Sequence, residues 1–415
     1  MVKRMYATIK LLIYLVVREV YANSEFKVYW NVPDHICNNR THPEDYGITV
    51  NQGHNFHGDK IVIFYEEQLG LFPFCADDKF DKKCYMKATE CRYPRNGGVP
   101  QNANLTAHLA KVVFDINLLI PSVSFDGLAI IDYECWRPLY EYNYSNRNVY
   151  KKYSIELARQ KYGINDSSAE NVARYEFNSA AKKLFMETLR LAKQMRPFAK
   201  WGFWEYPICN YDAGYDGRID CWLQYRVYNE QLIDLLSLQD ALYPRVYFTS
   251  KRHNDYSTHT RQSIARIKEA LRLNTLSFQV NKPIYPYIAF EYWKDGEDQY
   301  YEADDICNSY NIPMLLGADG VIIWSTSNRM IYRCNSIENY ISNMLGPYTQ
   351  AFLQLAKQCS IQNCNSHGTC TNLMYAEAMD YCSFALPHDV YCKCEDGYYG
   401  RHCEYHEKFV FDNKT

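Results

Sequence analysis

Short apolar segments that alternate with longer amphipathic ones constrain the fold of this chain more than any other feature. Seven segments have the length and apolar character of buried strands: 27–32, 61–65, 128–133, 201–204, 245–248, 286–290 and 320–324. The segments between them that have helical character are 105–120, 170–196, 224–240, 261–274, 302–311 and 335–357. This alternation predicts an α/β fold with a parallel sheet buried on both faces. A TIM-like (β/α) barrel of about seven parallel strands over residues 23–357 is the economical arrangement, although an open doubly wound sheet would give the same pattern.

The carboxyl-terminal part differs because it is rich in cysteine. Six of its cysteines follow each other closely apart from one long gap: Cys359, Cys364, Cys370, Cys392, Cys394 and Cys403. With Gly397 and Gly400 before the last of them, the spacing resembles an EGF-like module with a long insertion, placed at 358–405 ahead of a tail at 406–415. The resemblance implies the bridges Cys359–Cys370, Cys364–Cys392 and Cys394–Cys403. A module this small depends on its bridges because it cannot bury a sufficient core.

Residues 1–22 have the composition of a secretory signal peptide. Three basic residues flank the start of the apolar run 11–17, and a small-residue cleavage site ends at Ala22. The run is too short to span a membrane, and no later apolar stretch approaches about 18 residues, so we expect no stable membrane span. The sequence therefore predicts a secreted protein, extracellular or lysosomal.

Cysteine content and charge agree with that route and limit the partners. The chain has 16 cysteines, which is typical of an oxidising compartment. Five N-glycosylation sequons are compatible with secretion, at Asn39, Asn104, Asn143, Asn165 and Asn413. Without residues 1–22, Lys+Arg falls from 45 to 41 and Asp+Glu from 48 to 47, a net charge of about −6. This balance gives no global attraction for nucleic acid, so an anionic substrate would require a local cluster of positive charge.

Two carboxylates end one of the predicted strands, in the segment FDGLAIIDYECWRPLY at 125–140. Asp132 and Glu134 are two residues apart, so they lie on the same face of a strand. Two like charges on one face are unfavourable unless one of them holds a proton. Arg137 supplies a cation that can keep one carboxylate ionised, and Trp136 supplies an apolar wall. The pair is either a solvated rim or an acid–base device, and the buried strand before it favours the second interpretation.

The segment FDGLAIIDYECWRP resembles the active-site strand of the animal hyaluronidases, glycoside hydrolase family 56. Further blocks follow in the order of that family over nearly the whole mature chain: 63–65, 70–73, 97–102, 201–209, 242–247, 265–270, 317–324 and 345–347. An appended EGF-like module is also a family feature. The resemblance implies a distorted (β/α) barrel and an endo-β-N-acetylhexosaminidase, which hydrolyses β-1,4 bonds in hyaluronan, chondroitin or both.

The resemblance also implies a retaining mechanism in which the substrate's own acetamido oxygen attacks the anomeric carbon. Glu134 matches the general acid and base, and Asp132 matches the carboxyl that shares a proton with it and orients the acetamido group. Tyr247 matches the tyrosine that contacts the acetamido group. Neither a cofactor nor a metal is needed, because the substrate brings its own nucleophile.

Further residues match substrate-binding positions of the family. Trp324 matches the tryptophan that closes the sugar pocket, and Tyr65 and Tyr287 are expected to stack on the substrate or hydrogen-bond to it. Arg137 and Arg266 match arginines near the pocket. They would brace carboxylates and supply the local positive charge that an anionic polymer requires.

Two features leave alternatives open. Trp204 stands where the compared hydrolases have a substrate-contacting tyrosine, and an indole has no hydroxyl to accept a hydrogen bond. A chondroitin-preferring hydrolase and a non-catalytic glycosaminoglycan-binding protein therefore remain alternatives, whereas the Trp-Arg-Pro after the carboxylates argues against a chitinase. The acidic partner of the arginines is not placed, because Trp293 occupies its family position while Glu291 and Asp295 lie nearby.

The remaining cysteines are assigned only in part. The family resemblance implies a bridge from Cys37 to Cys334 and one from Cys209 to Cys221. Cys135 directly follows Glu134, and we expect it to be buried or bridged rather than reactive. The cysteines without an assigned partner are Cys75, Cys84, Cys91, Cys135, Cys307 and Cys382.

Overall fold

The structure is a computed structural model that describes residues 25–37, 41–84, 86–250, 256–277, 281–292, 294–296, 298–372 and 390–407. Several sequence predictions fall outside these residues: the signal segment 1–22, the sequons at Asn39 and Asn413, Trp293, Cys382 and part of the tail 406–415.

Seven of the described strands lie on the seven predicted segments. The strands are β1 Lys27–Asn31, β2 Ile61–Tyr65, β3 Phe74–Ala76, β4 Tyr93–Arg95, β5 Leu128–Asp132, β6 Lys200–Phe203, β7 Arg245–Val246, β8 Tyr287–Ile288, β9 Gly320–Trp324, β10 Gly368–Thr371, β11 Tyr391–Cys394, β12 Tyr398–Tyr399 and β13 Tyr405–His406. The α-helices are α1 Leu105–Leu119, α2 Asn148–Tyr162, α3 Asp166–Met195, α4 Leu223–Gln231, α5 Ile233–Leu238, α6 Tyr256–Ser277, α7 Ala303–Leu315, α8 Met330–Tyr340 and α9 Gly346–Asn363.

The predicted parallel pairing is present in two sheets. One sheet has the order β2-β5-β6 and the other the order β1-β9-β8-β7. A parallel bridge from Trp204 to Tyr243 connects β6 to the segment that leads into β7. Together the strands run in the order β2-β5-β6-β7-β8-β9-β1, and among the described residues no ladder joins β1 to β2. All seven carboxyl ends therefore point to the same side of the molecule.

The central strands separate two hydrophobic cores. None of the side chains at 61–64 or 129–131 is more than 1% exposed. Alternate residues face opposite sides of a strand, so Ile63 and Ile130 pack into a core formed mainly by the strands. Phe64 and Ile131 pack into the second core, against α1 and α3. Burial on both faces explains why these strands are continuous apolar runs.

The structure corrects several predicted boundaries. The segment 224–240 was expected to be one helix, but it forms α4 and α5 with a break at Leu232. The segment 335–357 contains α8, a π-helical turn at Ile341–Leu345 and α9. The apolar periodicity of the sequence continues across each break, because the consecutive helices bury the same face. Helix α2 and the hairpin of β3 and β4 were not predicted.

The disulfides implied by the family resemblance are confirmed: Cys37–Cys334, Cys209–Cys221, Cys359–Cys370, Cys364–Cys392 and Cys394–Cys403. Two further bridges join cysteines that the sequence left unassigned, Cys75–Cys91 and Cys84–Cys135. Cys307 is also disulfide-bonded. Cys135 is therefore a buried, bridged cysteine, as expected.

The cysteine-rich carboxyl-terminal part packs directly on the α/β part. Helix α9 continues to Asn363 and carries Cys359, so no linker separates the two parts at residue 358. The Lys393 ammonium contacts both carboxylate oxygens of Asp319, at 2.9 and 2.8 Å, and the carbonyl oxygen of Gly317. The predicted domain boundaries stay a prediction.

Candidate active site

The carboxyl end of β5 carries the pair of carboxyls. Asp132 is the last residue of the strand and lies in register with Tyr65 of β2. Asp132 is only 6% exposed, whereas the Glu134 side chain is 35% exposed. Burial raises the pKa of Asp132 well above its usual value, and the negative charges of Glu134 and Glu66 raise it further. The pair therefore retains a proton at a pH at which an exposed carboxyl would have lost it.

A third carboxyl, Glu66, lies against the same pair. Its Oε1 accepts hydrogen bonds from the backbone N–H groups of Glu134 and Cys135, at 2.5 and 2.9 Å. Burial and the charge of Glu134 raise the pKa of Glu66 to about 7. Glu66 was not predicted from the sequence, although it directly follows the apolar strand β2, and Asp132 was identified from its place at the end of a similar apolar strand.

Four predicted aromatic residues form an arc around Asp132. The Trp324 indole N–H donates to the Tyr65 hydroxyl at 3.2 Å. The Trp324 ring stacks on Tyr247, with ring centroids 5.7 Å apart and planes at 16°. Trp204 continues the arc, with its ring centroid 6.2 Å from that of Tyr247. These side chains come from the carboxyl ends of β2, β9, β7 and β6, which brings residues distant in sequence to one place.

Arg137 lies beside Glu134 and next to Trp204 of the aromatic arc. Its Nη2 is 3.3 Å from Glu134 Oε1, and it makes a second, closer ion pair with Glu205. Glu205 also pairs with Arg245, at 3.1 Å. Both guanidiniums lie 5.9 Å from the Trp204 ring. The sequence predicted Arg137 and missed Glu205 and Arg245, which flank the predicted Trp204 and Tyr247 in the chain.

Two predicted binding residues lie deeper. Tyr287 is fully buried, and its hydroxyl donates to Asn31 Oδ1 at 3.1 Å. Arg266 lies on α6, where its Nη1 donates to the carbonyl oxygen of Arg245 at 2.6 Å. Both pack behind the residues that form the surface of the site. Trp136 is also fully buried, and its indole N–H donates to the carbonyl oxygen of Pro73.

The acidic partner that the sequence could not place is Glu205. Glu291 instead accepts from Ser325 and pairs with the buried Arg333. Asp295 accepts from the Ser250 hydroxyl at 2.5 Å. Neither Glu291 nor Asp295 is therefore the partner of Arg137.

A cavity of about 650 Å³ adjoins the aromatic arc, and Tyr65 and Trp324 line it. His35, His57 and Lys83 are among its other lining residues. A volume of this order accommodates a small organic ligand or a few sugar units. Tyr65 is the register neighbour of Asp132, so the cavity lies close to the carboxyl pair, and the Glu134 side chain is partly exposed.

No group of three or more His, Cys, Asp or Glu side chains in the described ranges has the geometry to hold a metal ion. Of the described helices, none has the length and apolar character needed to cross a membrane.

Comparisons with known proteins show which family the chain is similar to. The family model described as "Hyaluronidase" matches residues 16–392. A hyaluronidase of Loxosceles intermedia is 34% identical over 405 residues, covering 91% of this chain and 94% of the relative. A chondroitin hydrolase of Caenorhabditis elegans is 33% identical over 383 residues, covering 91% and 80%.

A solved structure agrees with the sequence matches. Bee venom hyaluronidase in complex with a hyaluronic acid tetramer is 32% identical and aligns with a TM-score of 0.71, covering 79% of this chain and 99% of the other. Both the family model and the long relatives extend over most of the chain. The chain therefore belongs to the hyaluronidase family of glycoside hydrolases.

Proposed function

We propose that this protein is a secreted endo-β-N-acetylhexosaminidase that cleaves β-1,4 bonds of glycosaminoglycans, from a site on a distorted seven-stranded barrel. The observation that carries the proposal is the pairing of a buried, proton-retaining Asp132 with a partly exposed Glu134, next to Tyr65 and Trp324, which line a cavity. One member of the pair can hold a proton while the other reaches the substrate. Membership of the hyaluronidase family supports the same reaction class.

In the proposed reaction Glu134 donates the retained proton to the glycosidic oxygen. The substrate's acetamido oxygen attacks the anomeric carbon as the glycosidic bond breaks, which gives a cyclic intermediate and a free alcohol. Asp132, then ionised, accepts from the acetamido N–H and stabilises the positive charge of the intermediate. Glu134 next removes a proton from water, whose oxygen opens the ring, and the original configuration is retained.

The aromatic arc would hold the reacting sugar. Tyr247 and Trp324 are stacked on each other beside Asp132, where they can contact the acetamido group and close the pocket. Tyr65 is fixed by its hydrogen bond from Trp324 and can contact the sugar from the next strand. Tyr287 and Arg266 would support the site from behind, because their polar groups bond to Asn31 and to the backbone.

Local positive charge supports an anionic substrate, despite the acidic balance of the whole chain. Four arginines surround the ionised carboxylate of Glu205: Arg137, Arg147, Arg245 and Arg266. This excess of cations over anions would attract the uronate carboxylates of hyaluronan or chondroitin. No metal or cofactor has a role in this scheme.

Chondroitin is the second candidate for the preferred substrate. Trp204 is only 8% exposed, is packed against Tyr247, and has no hydroxyl to offer the substrate. Trp204 therefore cannot accept the hydrogen bonds that a tyrosine hydroxyl could accept from the substrate. One of the long relatives is named a chondroitin hydrolase, which supports testing both polymers side by side.

Secretion is supported by the disulfides. All cysteines of the described residues are bridged, which requires an oxidising compartment. Residues 1–22 would supply the signal, with the extracellular space or the lysosome as the destination.

The substitution Glu134→Gln tests the function directly. It keeps the shape of the side chain but removes the proton donor, so we expect turnover to fall by about 10²–10⁴-fold or more. Sizing the products from hyaluronan and from chondroitin, incubated separately, would measure both activity and preference. Wild-type chain cleavage by the variant would contradict the proposal, and binding without cleavage by the unmodified protein would favour a non-catalytic glycosaminoglycan-binding protein.

A further inference from the structure

Arg137 is shared between two carboxylates that have different environments. Its Nη2 contacts Glu134 at 3.3 Å and Glu205 more closely. The Arg137 side chain is buried, so its charge is poorly screened by water. The positive charge of Arg137 therefore opposes the rise in the pKa of Asp132, the buried member of the pair, because a nearby cation favours the ionised carboxyl.

Glu205 is built into the site as a permanent anion. Burial alone would raise the pKa of Glu205, but Arg137, Arg245, Arg147 and Arg266 outweigh burial and lower it to about 2. Glu205 therefore stays ionised throughout the range in which the enzyme could work. Its backbone has a φ of 71°, a conformation that costs energy for any residue other than glycine.

Titratable and charged groups from several elements surround the carboxyl pair. The groups that face Asp132 and Glu134 are Tyr65 and Glu66 from the end of β2, Arg137 and Arg147 from the segment after β5, Glu205 after β6, Tyr247 after β7 and Tyr287 from β8. Around Glu205, Arg245 and Arg266 are added from β7 and α6, together with Tyr206. Two carboxylates in this set form an ion pair with Arg137: Glu134 and Glu205.

We propose that Glu205 is a positioning residue that neutralises Arg137, and so allows the Asp132–Glu134 pair to keep its proton to a higher pH than Arg137 alone would permit. This inference rests on the proposed role of Glu134 as the proton donor. Glu205 acts through Arg137 and contacts neither the substrate nor the reacting atoms. The ion pair with Arg245 holds the Glu205 carboxylate in place.

The substitution Glu205→Gln tests the proposal by removing one charge at nearly constant shape. Arg137 then interacts with Glu134 alone, so we expect the basic limb of the kcat/KM–pH profile to move to lower pH by about 0.5–1.5 units. At the acid plateau kcat should stay within about threefold of the wild type. A merely structural role would lower activity at every pH and leave the midpoint in place.

Glu291→Gln is the matched control. Glu291 is a buried glutamate paired with a buried arginine, Arg333, but it has no ion pair with Arg137. We expect this variant to lose thermal stability without moving the midpoint of the profile. A shift as large as that of Glu205→Gln would overturn the proposal, because any buried glutamate would then have the same effect.

A second variant covers the case in which Glu205→Gln does not fold. Glu205→Gln combined with Arg245→Gln removes both members of one buried ion pair, so the local charge stays balanced. Arg137 again faces Glu134 alone, and the same acid shift is expected. An unchanged midpoint in whichever variant folds overturns the inference. If Glu134→Gln is inactive but the midpoint of the pH profile does not move in the Glu205 variants, the proposed function stands and only this inference fails.

Discussion

Asp132 lies in the core with a carboxyl group that is costly to ionise there. Its folded-state pKa is raised, so below about pH 4 the folded and unfolded chains both hold the proton. As the pH rises, the unfolded chain releases this proton first, and stability falls. We expect Asp132→Asn to abolish activity but to raise the free energy of unfolding at neutral pH by about 0.5–2 kcal/mol.

Melting temperatures of both proteins between pH 4 and 8 would measure this effect. The gain should vanish towards pH 4 and grow as the pH rises. Asp126→Asn is the control, because Asp126 is an exposed carboxyl ahead of the same strand. Equal behaviour of the two variants across the pH range would contradict the role assigned to burial.

Some residues of the site could be predicted because they adjoin a recognisable strand. Asp132, Glu134 and Trp324 follow apolar runs whose length and composition identify them as buried strands. Glu205 could not be predicted as the partner of Arg137, because the two are 68 residues apart and meet only when β5 and β6 pair. Glu66 approaches Glu134 in the same way, through the pairing of β2 with β5.

The structural element that carries a sequon decides whether its asparagine is accessible to glycosylation, as the segment between β5 and α2 shows. Asn143 belongs to a sequon, but it is fully buried, and its Nδ2 donates to the carbonyl oxygens of Arg137 and Leu139. Asn104 and Asn165 are exposed helix caps that use only Oδ1, so their Nδ2 atoms are free to carry a glycan. We expect glycans at Asn104 and Asn165 and none at Asn143.

Mass spectrometry of glycopeptides from protein secreted by eukaryotic cells would measure the occupancy of each sequon. The two helix caps serve as internal controls for the glycosylation machinery. A glycan at Asn143 in active protein would contradict the packing of this segment. Asn143→Gln should also destabilise the protein, because a longer side chain cannot reproduce its three hydrogen bonds to the backbone.

At the level of elements, the sequence identified the strands better than the helices. The seven described strands of the parallel sheets were all predicted, because each is a short, largely buried apolar run. Helix α2 was missed because its apolar positions are few and its outer face is highly charged. The hairpin of β3 and β4 is held by the Cys75–Cys91 bridge, and a pairing of cysteines cannot be read from their number.

At the scale of the whole molecule, polar contacts join its two parts. Lys393 of the cysteine-rich part contacts Gly317 and Asp319, which follow α7, and the Asn372 N–H donates to the carbonyl oxygen of Leu315. We expect Lys393→Met to lower the free energy of unfolding by about 1 kcal/mol, because a partly exposed ion pair and a hydrogen bond are lost. Cleavage after residue 363 in limited proteolysis should become faster, while the catalytic rate stays the same.

Lys357→Met is the matched control for this prediction. Lys357 also forms an ion pair with an acidic residue, Glu25, but both side chains are largely exposed. We expect no measurable change in melting temperature for the control. Identical melting and proteolysis of the Lys393 variant and the unmodified protein would show that the two parts are held together by other contacts.

The sequence by itself determined the class of fold and the carboxyl pair, because both depend on local composition and on spacing along the chain. The order of its motifs indicated the family, and the resemblance to that family implied the bridges that the structure confirms. The tertiary structure decided which of two adjacent carboxyls is buried, and which charges surround them. It joined Glu66, Glu205 and Arg245 to the site by bringing the carboxyl ends of four strands together. Burial and long-range charge depend on neighbours in space, and a sequence lists only neighbours along the chain.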